Sequence, residues 1–159
     1  EDSAEPGIMI GGRGADSPGY DLDDQSRLGS PDAWAKEAVT AYHANRADRI
    51  VGEVNNGGDL VEVVIRTQDR NVAYKAVHAS RGKQTRAEPV AALYEQGKVH
   101  HLGLLADLEN QLCQWVPGEK SPDRLDALVW LFTELMLGDE QEESEEVVSM
   151  ADRVEISPV

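Results

Sequence analysis

Ser121 to Leu137, SPDRLDALVWLFTELML, constrains the fold of this chain more than any other stretch. Leu125, Leu128, Val129, Phe132, Leu135 and Met136 recur at three- and four-residue spacing, while Ala127, Trp130 and Leu131 leave little polar surface on the remainder. A helix this apolar has to be packed, and a sheet is the expected partner. Its start is well marked. Ser121 is placed to cap it, Pro122 suits the first helical position, and Asp123 falls in the first turn, at the positive end of the helix dipole. Asp123 and Asp126 are three residues apart and share a face beside the apolar stripe. Taken alone, the pair reads first as a dipole-matched acid with a solvated neighbour, and second as a metal-binding corner.

A chain of 159 residues, 40% of them hydrophobic, supports one domain with one core. The expected division is a folded domain over residues 1–137 and an acidic, disordered tail over 138–159, DEQEESEEVVSMADRVEISPV after Gly138. The longest apolar run is interrupted by Asp126 and Glu134 and is too short to span a bilayer, and no signal-peptide pattern opens the chain, so a soluble protein is expected. The single Cys113 has no partner for an internal disulfide and no spacing that suggests structural zinc. A net charge of -15 argues against a generic nucleic-acid binder. Much of that excess sits in the tail, and between Lys75 and Arg86 the sign reverses: KAVHASRGKQTR carries Lys75, Arg81, Lys83 and Arg86 and no acid.

In chain order, Gly7–Gly12 and Gly19–Ser26 read as an antiparallel hairpin, with Asp21, Asp23 and Asp24 expected to face solvent. Ser30-Pro31-Asp32 opens a helix through Ala44, and Ala47–Val54 is a short β-rich run. NNGGD then turns into a helix from Leu60, with Asp59 as its cap. Val72–Ala79 is a strand from which the basic loop hangs, Thr85–Gln96 a helix, Lys98–Leu102 a strand, and Ala106–Trp115 a helix ahead of the closing one. His100 and His101 are adjacent on a strand and point to opposite faces, so one metal does not recruit both. The order implies an α/β fold with a sheet of mixed direction.

Glu53 lies near the end of the apolar strand ADRIVGEV, where an unpaired carboxylate is costly and has to be neutralised, paired or bound to a cation. If the closing helix packs beside this strand, Glu53, Asp123 and Asp126 can converge on hard divalent ions through oxygen ligands. Two such ions about 4 Å apart would activate water and stabilise the leaving oxygen of a phosphodiester.

Three blocks, ADRIVGEVNNGGDLVEVVIR, KAVHASRGKQTRAEPVAALYEQGKVHH and SPDRLDALVWLFTELM, closely resemble the C-terminal nuclease domain of large terminase subunits, the DNA-packaging motors of tailed bacteriophages and prophages. The resemblance runs from about Tyr20 to Leu137, with the blocks in the family's order. It implies an RNase H-like fold, a mixed sheet flanked by helices. It also implies a two-metal endodeoxyribonuclease that cuts concatemeric double-stranded DNA with Mg²⁺ or Mn²⁺, in the cytoplasm of the bacterial host. Glu53 matches the acid on the strand after the first helix, Asp123 the acid opening the last helix, and Asp126 a further acid that the related resolvases use. Lys75, Arg81, Lys83 and Arg86 fall between those acids and would hold DNA phosphates without reading bases. Portal protein and the small terminase subunit are the implied protein partners.

The family's first catalytic aspartate lies on the first, central strand of the sheet, and its place falls before Glu1. The amino-terminal ATPase domain and its GxxxxGK[ST] loop are likewise not in this sequence. The expectation is therefore a fragment or excised domain whose sheet lacks its first strand, or a degenerate relative. A catalytically inactive RNase H-like module kept for protein contacts in the motor is the competing functional reading, and a resolvase- or transposase-like nuclease is a third.

Overall fold

A computed structural model of the chain describes residues 6–54 and 60–138. Strands β1 (Met9–Arg13) and β2 (Gly19–Asp24) form the expected antiparallel hairpin, with a register shift between Ile10 and Gly11. They are followed by α1 (Pro31–Ala44), β3 (Ile50–Val54), α2 (Leu60–Gln68), β4 (Tyr74–His78), α3 (Lys83–Glu95), β5 (Val99–His101), α4 (Ala106–Gln114) and α5 (Asp123–Phe132). A π-helical segment, Thr133–Leu137, prolongs α5. The architecture is the expected α/β fold with strands of mixed direction. The turn NNGG, the capping role of Asp59 and the tail after Gly138 lie outside the described residues.

The strands make two sheets. In one, β2 is central, antiparallel to β1 and parallel to β5; in the other, β3 and β4 pair in parallel. Among the described residues no ladder joins them.

Burial divides the same way, so there are two apolar clusters where the composition suggested one core. Leu125, Leu128, Val129 and Phe132 of α5 pack with Val90 and Leu93 of α3, Val99 of β5 and Leu108 of α4. Ala35 and Val39 of α1 pack with Ile65 of α2 and Val72 ahead of β4. The apolar periodicity of α5 thus serves the first cluster, and the face of α5 toward β3 and β4 carries something else. No helix among the described residues is long and apolar enough to cross a membrane.

Two local readings are corrected. Helix α3 begins at Lys83, capped by the backbone of Gly82, because Lys, Gln and Arg are good helix formers and extend the helix upstream of Thr85. Lys83 and Arg86 therefore project from its first turn, not from a loop. Asp21, expected to face solvent, is completely buried. Alternation puts it on the inward face of β2 with Gly19, where a Cβ on Gly19 would come 2.9 Å from the Phe132 ring.

Candidate active site

Along β3 the pleat sends Gly52 and Glu53 to opposite faces. A Cβ on Gly52 would lie 2.1 Å from the Tyr74 hydroxyl, and Tyr74 packs against the α1–α2 cluster. Glu53 consequently faces the other way, toward α5. There the indole Nε1–H of Trp130 donates to Glu53 Oε2 at 2.9 Å. Arg86 Nη2 stands 3.9 Å from Glu53 Oε1, an ion pair too long for a hydrogen bond. The Arg86 guanidinium carbon lies 4.5 Å from the centroid of the Trp130 ring, a cation–π contact that holds it in place.

Asp126, Trp130 and Glu134 follow at four-residue intervals along α5 and its extension, and so form one stripe on that helix. Each meets a polar group. Asp126 pairs with Lys83 and accepts a hydrogen bond from Ser121 Oγ at 2.7 Å. Glu134 accepts from Lys75 Nζ at 2.6 Å and from Arg49 Nη1 at 3.3 Å. The result is a polar seam between the two apolar clusters. One side is α5; the other is built from β3, β4 and the first turn of α3.

The predicted residues distribute along this seam unevenly. Glu53 and Asp126 both lie on it, about one helical turn apart as measured by Trp130 and Asp126 on α5. Asp123 opens α5 and is solvent-exposed, with its face aligned to the stripe. Among the described residues, no three His, Cys, Asp or Glu side chains gather closely enough to hold a metal ion. Glu53 and Asp126 are instead each neutralised by a cation from α3. Of the four cations expected to meet phosphate, Lys75, Lys83 and Arg86 are engaged by carboxylates in the seam. Arg81 is exposed between β4 and α3.

The two Ser-Pro-Asp segments are used differently. Ser30 caps α1, its Oγ accepting from Ala33 N at 3.3 Å. Ser121 does not cap α5, whose cap position is Pro122 with no side-chain bond. It is buried, and its hydroxyl orients Asp126. Trp130, Glu134 and Ser121 were not picked out by sequence reasoning as site residues. The signal was present in the four-residue spacing of Asp126, Trp130 and Glu134 on an otherwise apolar helix.

A second polar group lies across α5. Both carboxyl oxygens of Asp21 are buried without a hydrogen-bond partner among the described residues. Burial, followed by the neighbouring charges of Asp24 and Asp23, pushes its pKa up to about 7. Nearby, Tyr94 Oη is 2.7 Å from His101 Nε2, and His101 Nδ1 is 3.1 Å from Glu109 Oε1. Since a carboxylate only accepts, the neutral ring carries its proton on Nδ1 and Tyr94 donates to Nε2. Burial, and then the charges of Asp21 and Glu109, raise the Tyr94 pKa, so its hydroxyl keeps its proton. The bond from His101 lowers that of Glu109.

Residues 8–135 match the family model of the terminase RNaseH-like domain. Comparison with curated proteins gives no match.

Proposed function

The chain belongs to the terminase RNaseH-like domain family, a nuclease-type module of machinery that handles DNA in packaging, and from that premise we propose that it is a metal-dependent endonuclease acting on concatemeric double-stranded DNA. The observation that carries the reading is the polar seam, and within it Glu53. A carboxylate on a strand between two apolar clusters, held by an indole N–H and a buried guanidinium, is out of place as packing. It is well suited as a hard oxygen donor whose orientation is fixed before a cation arrives.

In this reading Glu53, Asp123 and Asp126 hold Mg²⁺ or Mn²⁺. The donor set fits such ions in kind, all carboxylate oxygen. When bound, the ions supply a lowered water pKa and a counter-charge for the leaving oxygen. The chain's own contribution is positional. Trp130 fixes the rotamer of Glu53, and Ser121 fixes that of Asp126, so neither acid has to be ordered at the moment of reaction. The exposed Arg81, with Lys83 and Arg86 at the positive end of α3, gathers phosphate and is silent about sequence. Portal protein and the small terminase subunit are the partners this role implies, in the cytoplasm of the bacterial host.

Plasmid nicking in Mn²⁺ by the longest natural polypeptide containing this sequence is the test. Glu53→Ala and Asp123→Ala are each expected to abolish it; undiminished nicking in both ends the proposal. The internal neutralisation of Glu53 and Asp126 by Arg86 and Lys83 favours a second reading, a module that has kept the fold for protein contacts. Calorimetric titration with Mn²⁺ separates the two, since a contact module shows no saturable site.

A further inference from the structure

Arg86 is the least satisfied group on the seam. Its side chain is only 10% exposed, and both Nε and Nη1 are buried with no hydrogen-bond partner among the described residues. A guanidinium carries five donors in a fixed fork, and a buried donor left unbonded loses its hydration with nothing in return. Glu53 Oε1 is close by and yet 3.9 Å away, so the nearest carboxylate does not satisfy them. The ring of Trp130 competes for Arg86: the guanidinium carbon lies 4.5 Å from the ring centroid, and the fork does not close on Glu53.

The placement on α3 sharpens this. No acid stands in the first turn of that helix, and Lys83 and Arg86 do, at the end where backbone N–H groups already concentrate positive potential. Cations there oppose the helix dipole. Such a combination suits an arriving anion with several acceptor oxygens, and in a DNA-handling module that anion is a phosphodiester.

We propose that Arg86 is a positioning residue shared between two partners: it neutralises Glu53 when no divalent cation is present, and it turns its free donors to a DNA phosphate when a cation takes over the Glu53 carboxylate. Trp130 is the platform on which it does both. Metal and phosphate then bind with positive coupling, because the cation releases Arg86 from Glu53 and the phosphate removes Arg86 as a competitor of the cation. The inference rests on the proposed function and adds to it a reason for metal and DNA to enter together.

Trp130 reports directly, since its indole N–H bonds Glu53 and its face carries Arg86. In a chain with Trp34→Phe and Trp115→Phe, Mn²⁺ is titrated against tryptophan fluorescence with and without a short DNA duplex. The parent is expected to show a saturable response, tightened about tenfold by the duplex, within the usual range of coupling between sites. Arg86→Gln is expected to bind Mn²⁺ more tightly than the parent without DNA, and to lose the tightening by DNA. Arg86→Lys keeps the charge without the planar fork and is expected to leave Mn²⁺ affinity near the parent's while cutting the coupling to about threefold or less. A merely structural Arg86 would instead give weaker Mn²⁺ binding in both variants and an unchanged ratio, which overturns the inference. If the parent itself gives no Mn²⁺ response, it is the proposed function that fails. Should Arg86→Gln not fold, the ratio in Arg86→Lys decides.

Discussion

Replacing Asp21 by Asn tests how the hairpin is held against α5. In the folded chain the carboxyl is completely buried, with neither oxygen bonded among the described residues. Tyr94, His101 and Glu109 lie on one side of it and Asp23 and Asp24 on its own strand. It keeps its proton to about pH 7, where an unfolded chain loses it near pH 4. The folded state therefore binds the extra proton between those values. Stability contributed here is fully present below about pH 4 and is lost as pH rises through about 7, at up to about 1.4 kcal/mol per pH unit. The total is about 4 kcal/mol, lowered by any rearrangement that lets water reach the charge. Asn is nearly isosteric with the protonated acid and also neutral, so the two side chains leave similar unmade bonds. Urea unfolding at pH 5, 6, 7 and 8 is the assay. Asp21→Asn is expected to gain on the parent progressively with pH, by about 2–4 kcal/mol between pH 5 and pH 8. A difference that stays constant across that range would refute the reasoning, because it would mean that Asp21 ionises in the folded chain as it does in the unfolded one.

Two further outcomes follow from contacts that position the site. Arg124, buried on α5, donates to Asp24 Oδ2 at 2.8 Å and to the carbonyl of Ser26 at 3.2 Å; Arg124→Met is expected to lower unfolding stability by about 3 kcal/mol, with partial recovery in the double variant carrying Asp24→Asn. A Cβ on Gly7 would fall 2.1 Å from the carbonyl oxygen of Asp123, and backbone cannot step aside. Gly7→Ala should then cost about 2 kcal/mol and speed hydrogen exchange in the first turn of α5.

The elements were legible in the sequence because their signals are local. The apolar spacing from Leu125 to Phe132, the glycine that stops α3, and the alternating hairpin each fix a period or an end within a few residues. The candidate acids were legible for a different reason: Glu53 breaks an apolar strand, and Asp123 and Asp126 open an apolar helix. What could not be read was pairing. That Ser30 caps while Ser121 orients Asp126 depends on which serine is buried, and both sit in the same three-residue motif. Likewise Lys75, Lys83 and Arg86 read as a free basic loop, since a cation's carboxylate partner 33 to 59 residues away leaves no mark nearby. Asp21 was misread because the hairpin has two acids at i and i+2, Asp21 and Asp23, and alternation alone does not say which face meets Phe132 and Tyr94.

The central claim is that a divalent cation sits on the seam between β3 and α5. Fe²⁺ loaded in place of Mn²⁺, with ascorbate and peroxide, generates radicals that cut polypeptide backbone within a few ångströms of the bound ion. The account predicts two cuts, one beside Glu53 and one between Ser121 and Asp126, both lost in Glu53→Gln. Cuts elsewhere, or the same two cuts in Glu53→Gln, would contradict it.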